Sequence, residues 1–214
     1  MTRTRLAAAP LASLAAHLLL SACASQAPTS TGFLNPPPPP AAAEHADTRR
    51  VQVATTFNPR AYDGWVLLPV VYTPGAVSAG KASDATRAEL AKHLEASLAA
   101  AFDAKLPRRA AAGPRTLVVR ASVTGIEAAE PVLNAVTTLA VFTPVTAGGA
   151  SAELEVLDGA TGQRLVAVSA ADNGGFGLGF PVAYFQRHGH ARRALARQAE
   201  ELAKLATGTA QAAR

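Results

Sequence analysis

The chain has 214 residues, 49% hydrophobic and 16% charged, with a formal net charge of +5 and a single cysteine. One cysteine excludes an internal disulfide framework and a thiolate metal cluster, so stability must rest on an ordinary hydrophobic core. Twenty basic residues against 15 acidic ones are too sparse and too mixed to make the dense basic stripe of a nucleic-acid binder.

The N-terminus reads as an export signal. Arg3 and Arg5 form a basic start, residues 6–20 are rich in Leu and Ala, and the small residues Ser21 and Ala22 precede Cys23. A positive start, a short apolar run and small residues at the cut describe a secretory signal. The run falls short of the roughly 20 apolar residues that a membrane span needs. Leu20-Ser21-Ala22-Cys23 resembles the bacterial lipobox at all four positions. That resemblance implies cleavage between Ala22 and Cys23, with residues 1–22 removed. The Cys23 thiol is then the nucleophile that takes up a diacylglyceryl group, and its freed amine is the site of a further acyl chain. Each buried CH₂ contributes about 0.8 kcal/mol, and two or more chains anchor stably where one does not. An ordinary cleaved signal and an uncleaved anchor are the alternatives. Ala24 follows the cysteine where, in enteric-type sorting, an aspartate would favour inner-membrane retention, so the outer membrane is the expected location. Loss of Arg3 and Arg5 with the signal leaves 18 basic residues against 15 acids, a charge of +3.

Residues 23–47 read as the lipidated N-terminus and a Pro-rich linker. Pro36 to Pro40 form an unbroken run, a stiff spacer of about 3.1 Å per residue, or roughly 15 Å. Its expected use is to hold a domain off the lipid surface. An SH3-type ligand is the other reading of such a run, and it suits an exported protein poorly.

Residues 48–207 have the size of one domain, able to bury about 70% of its unfolded-chain surface. Arg50 to Thr55 alternates weakly as a short strand. Trp65 to Tyr72 is a nearly continuous apolar run suited to a buried strand, with Pro69 demoting part of it to an edge or bulge. Ser83 or Asp84 can cap a helix running to about Lys105. Leu90, Leu94, Leu98 and Phe102 make its apolar stripe, and Pro107 ends it. Thr116 to Ile126 alternates as a strand, with Leu117, Val119, Ala121 and Val123 on one face and Arg120, Ser122 and Thr124 on the other. Residues 131–147 are apolar but interrupted by Asn134, Thr137, Thr138 and Pro144, so they suit a strand or a packed surface segment.

Ala150 to Leu157 and Gln163 to Ala171 flank Asp158-Gly159-Ala160-Thr161-Gly162, a hairpin whose aspartate accepts turn N–H bonds and whose glycines reach positive φ. Asn173 to Phe185 is a Gly/Phe-rich loop. A last helix runs from about Gly189 to Ala206 on the stripe Leu195, Ala199, Leu202 and Ala206. Residues 208–214 are a disordered tail. The order predicts an α+β domain: a mainly antiparallel sheet with two amphipathic helices packed on one face.

The lipobox, Tyr62-Asp63 before the strand carrying Pro69-Val70, Leu133-Asn134, and Glu153-Leu154-Glu155-Val156-Leu157-Asp158 with Thr161-Gly162 occur in this order. Together they resemble a family of bacterial lipoproteins, number 3313 in the domain-of-unknown-function series, over most of residues 48–207. The resemblance implies a lipoprotein with a periplasmic domain and brings no catalytic residues.

Several groups invite a sharper reading. His188 and His190 have a spacing that puts both rings on one side of a strand but about 200° apart on a helix. They stand at a loop–helix junction with no third ligand nearby, so a solvated helix entrance is expected and no metal. Arg187, His188, His190, Arg192, Arg193 and Arg197 form a basic cluster. It suits anionic head groups or cell-wall polymer through salt-screened attraction, or simply a solvated helix face. Gly175-Phe176-Gly177-Leu178-Gly179 lacks dinucleotide-site spacing. Phe176 and Phe180, with Tyr184 and Phe185, would either meet a partner or membrane, or close over the core. There is no G-x-S-x-G elbow, and Asp158 and Asp172 read as turn residues. The expectation is a lipid-anchored, non-enzymatic envelope protein with no cofactor. Its domain would bind a protein or cell-wall partner in the periplasm through Arg187, Arg192, Arg193, Arg197, Phe176 and Phe180. The alternatives are an accessory subunit of an envelope transport or secretion complex and, least expected, an envelope hydrolase.

Overall fold

A computed structural model describes residues 28, 30–39, 48–75, 82–128, 148–172, 186 and 188–209. Its strands are β1 (Arg49–Val53), β2 (Gly64–Leu67), β3 (Val71–Tyr72), β4 (Thr116–Glu127), β5 (Gly149–Asp158) and β6 (Arg164–Asp172). Among the described residues its helices are α1 (Asp84–Asp103) and α2 (Gly189–Thr207), with a 3₁₀ turn at Pro59–Ala61. The strands form one sheet in the order β1-β6-β5-β4-β2, and β3 continues beside β4. β1, β6, β5 and β4 pair antiparallel. β2 and β3 run parallel to β4, as a crossover through α1 requires. The fold is the expected α+β class.

Pro69 divides the apolar run at 65–72 into two short strands, because it offers no N–H to a ladder. Leu68 spans the break by donating to Val119 O at 3.0 Å.

The helices form where their apolar stripes predict. Ser83 Oγ accepts from the Thr86 N–H at 3.2 Å and caps α1, whose Leu90, Leu94, Leu98 and Phe102 are fully buried. α2 buries Leu195, Ala199, Leu202 and Ala206 and stops at Gly208, whose φ of +75° is open to glycine and costly for other residues. Both helices share one core with the inward row of the sheet: Leu117, Val119, Ala121 and Val123 of β4, Ala152, Leu154 and Val156 of β5, and Val166, Val168 and Ala170 of β6. Trp65 stacks on Phe102 with ring centroids 4.9 Å apart and donates its indole N–H to Asp103 Oδ1 at 3.1 Å.

The other face of the sheet is not the solvated surface that its polar residues suggest. Ser122 and Thr124 of β4, Ser151, Glu153 and Glu155 of β5, and Ser169 of β6 are all buried, at 0–2% exposure. Residues 131–147, 173–185 and 210–214 lie outside the described residues, as do the signal and Cys23.

Candidate functional site

Strand alternation places Glu153 and Glu155 on the same face of β5, the one turned away from α1 and α2, opposite Ser122 and Arg120 of β4. A carboxylate buried there must be paired or hydrogen-bonded. Glu153 takes its partners from the segment before the domain. The Thr31 N–H donates to Oε1 at 2.9 Å, the Thr31 hydroxyl to Oε2 at 2.9 Å and the Leu34 N–H to Oε2 at 3.2 Å. Glu155 sits between two guanidinium groups, Arg120 at 2.6 Å and Arg164 at 2.8 Å. Arg164 then donates to the carbonyls of Pro36 at 2.6 Å and Asn35 at 3.1 Å. The Arg120 guanidinium lies 5.0 Å from the centre of the Phe33 ring.

Residues 31–36 are therefore held at both ends of a short track across β4, β5 and β6. Leu34 is 1% exposed, and Pro38 is buried too. The stretch expected to be a stiff spacer holding the domain off the lipid is instead packed on the domain over residues 31–38. An open cleft of about 550 Å³ lies beside it, lined among others by Phe33, Asn35, Gln52, Arg120, Glu155 and Gln163.

A second cluster gathers Tyr62, Asp63, Asp158 and Thr161, four of the residues that carried the family resemblance. Asp158 closes the β5–β6 turn by accepting from the N–H groups of Ala160 at 3.0 Å and Thr161 at 2.7 Å and from the Thr161 hydroxyl at 2.9 Å. Gly162 follows at a φ of +71°, which a side chain would strain. The other carboxylate oxygen of Asp158 accepts from the Tyr62 hydroxyl at 2.7 Å. The Tyr62 bond, with the Thr161 N–H next, holds the Asp158 carboxyl below its usual range. Burial first, and then the Asp158 bond, push the Tyr62 phenol up to about 12. Asp63 pairs with Arg115 at 2.7 Å and Arg109 at 3.5 Å, and the Arg115 bond leads in lowering its carboxyl. Asp158 is a turn residue, as expected, and also a tie between β5 and the segment before β2.

The basic cluster on α2 is half-exposed and already engaged. Arg192 pairs with Glu89 of α1, whose carboxyl that bond lowers, and its carbonyl lies 3.0 Å from His93 Nε2. Arg197 pairs with Asp172 at 2.6 Å. His190 is 1% exposed, which corrects the expected solvated helix entrance. Burial lowers its pKa, reinforced by Arg193 and Arg197 and opposed by Asp172. Among the described residues no group of three His, Cys, Asp or Glu side chains could hold a metal ion. Arg187, Phe176, Phe180, Ala22 and Cys23 lie outside the described residues.

The residues of the Glu153–Glu155 track were the ones sequence reasoning missed. The available signal was the pair of glutamates at alternate positions of a strand, facing Arg120 of the preceding strand.

No curated protein shows a significant sequence match. Among solved structures, the chain resembles the PelC dodecamer from Paraburkholderia phytofirmans, with 7% identity over 74% of this chain and 97% of that one and a TM-score of 0.42. It also resembles protein XCC0632 from Xanthomonas campestris, of the family DUF330, with 15% identity, 77% and 95% coverage and a TM-score of 0.37. The hypothetical protein CT253 from Chlamydia trachomatis is similar at 15% identity, 70% and 99% coverage and a TM-score of 0.31. Residues 39–201 match the family described as "Protein of unknown function (DUF3313)". Tyr62, Asp63, Glu153, Glu155, Asp158 and Thr161 all lie inside that stretch, and the chain belongs to the DUF3313 family.

Proposed function

We propose that this protein is a lipid-anchored lipoprotein of the bacterial envelope whose non-catalytic domain binds a protein or cell-wall partner in the periplasm. The observation that carries the reading is Leu20-Ser21-Ala22-Cys23 behind a basic start and a short apolar run. The chemistry of lipidation needs a thiol at that position, and the chain has only one. The geometry of the domain supports a binding module. Asp63, Glu89, Glu153, Glu155 and Asp158 are each engaged by donors of the fold itself. Carboxylates tied in this way brace a scaffold, whereas acid–base chemistry needs groups converging on one reacting atom. The proposed partner surface is the exposed side of α2 with Arg192, Arg193 and Arg197; Arg187, Phe176 and Phe180 are its further candidates from the sequence.

The test is to label intact cells with an alkyne-palmitate analogue, separate the membranes and crosslink the neighbours. Label in an outer-membrane fraction, lost in Cys23→Ala, is the expected result. An unlabelled, soluble periplasmic pool would overturn the reading.

A further inference from the structure

We propose that the domain clamps its own N-terminal segment, so that the lipid on Cys23 is joined in effect to the polar sheet face at Glu153. That face then looks toward the bilayer, and the helix layer is the surface offered to partners. The proposal rests on the lipid-anchor reading above. Its observation is the track of residues 31–36. Thr31 and Leu34 place three donors on the Glu153 carboxylate, and Asn35 and Pro36 give their carbonyls to Arg164. Hydrogen bonds to an ionised partner are the stronger kind, and both ends of the track have them.

Chain length turns the clamp into an orientation. Were the linker free to β1, 26 residue steps would separate Cys23 from Arg49, a reach of up to about 94 Å. With Thr31 fixed on Glu153 only eight steps remain, about 29 Å when fully extended. β5 lies in the middle of the sheet. A path from Glu153 to the outer surface of the helices crosses two strand spacings, about 10 Å. It then crosses the sheet and a helix of about 10–12 Å diameter, roughly 20 Å more. The fully stretched leash barely equals that path. It leaves no length for a bilayer to lie against α1 and α2, whereas the side of the sheet that carries Glu153 lies within the leash.

The experiment uses the lipidated chain in phospholipid vesicles that carry nitroxide-labelled head groups. Cys23 is consumed by its thioether, so one added cysteine can take a fluorophore. Gln52→Cys places it on the exposed edge of the Glu153 face, and Ala96→Cys places it on the outer side of α1. Quenching severalfold stronger at 52 than at 96 is expected. Thr31→Pro removes the donor N–H and the hydroxyl without touching the helix–sheet core, lengthens the leash to Leu34, and should reduce the difference. Equal quenching at the two sites, or a difference that Thr31→Pro leaves unchanged, would overturn the proposal. The mass of the N-terminal peptide separates the two readings. An unlipidated chain overturns the anchor, and the orientation with it. A lipidated chain whose Leu34 amide exchanges freely overturns the clamp alone.

Discussion

The Tyr62 hydroxyl donates to Asp158 Oδ2 at 2.7 Å and joins positions 96 residues apart. The bond fixes the chain just ahead of β2 to the turn that ends β5. A hydrogen bond to a charged group contributes about 1.5–3 kcal/mol, and partial exposure of this pair brings the expected cost of Tyr62→Phe to about 1 kcal/mol. In a chain of this size that is a fall in Tm of about 2–4 °C. The pH dependence has two limbs. Asp158 is lowered in the fold, so its contribution is present above the unfolded carboxyl value and is lost as pH falls through the folded one. Tyr62 is raised from 10.0 to about 12, so its contribution is present below pH 10 and is lost as pH rises toward 12. Thermal melts of Tyr62→Phe should show both limbs flattened. In the native chain, absorbance at alkaline pH should show a phenol titrating near 12.

His190 gives a separate limb near neutrality. Burial, with Arg193 and Arg197, holds its pKa below 6.5. The unfolded chain therefore binds the proton more readily between pH 6.5 and the lower folded value. Stability is full above 6.5 and declines as pH falls through that window. Melts from pH 7.5 to 5 should show this decline reduced in His190→Gln, and an identical slope in both proteins would place the titration elsewhere.

Leu94 and Leu202 are both fully buried in the core between the helices and the sheet. Leu94→Asp or Leu202→Asp would strand an unpaired carboxylate there, at a cost of several kcal/mol. That is comparable with the whole stability of a domain, about 5–15 kcal/mol. Each should abolish the cooperative melt. Leu94→Met and Leu202→Met keep volume and polarity and should cost less than about 1.5 kcal/mol. Fluorescence of Trp65, the only tryptophan, reports the transition from within the same core.

Those stripes were legible because helical periodicity is local: four leucine or phenylalanine positions spaced by four fix the face of α1 without knowledge of its neighbour. The β5–β6 hairpin was legible for the same reason, from Asp158 to Gly162. α2 was read too narrowly. It also buries His190, Ala194 and Gln198, a row spaced by four beside the leucine stripe, and Gln198 Nε2 reaches Ala150 O at 3.3 Å. Two polar residues in that row hid it from a hydrophobicity pattern. The Glu153 face was illegible for a deeper reason. Alternation says which residues share a face but not whether that face is covered. Over Glu153 the cover comes from Thr31 and Leu34, about 120 positions away, in a stretch whose composition reads as linker.

Glu155 makes the asymmetry of that face testable. Its side chain is 2% exposed, while its partners Arg120 and Arg164 are 40% and 21% exposed. Removing the carboxylate leaves two arginines that water can still reach. Removing the arginines leaves a buried anion without either of these cations. Breaking a buried pair from the side that strands a charge costs about 3–5 kcal/mol, and exposed partners cost far less to release. Glu155→Gln should therefore lower stability by about 1–2 kcal/mol. Arg120→Ala with Arg164→Ala should cost about 3 kcal/mol or more, and each single arginine variant should fall between. Chemical denaturation of the four proteins at pH 7 gives the order directly. A loss no greater in the double variant than in Glu155→Gln would mean that the arginines act through Phe33, Asn35 and Pro36 rather than through the charge on Glu155.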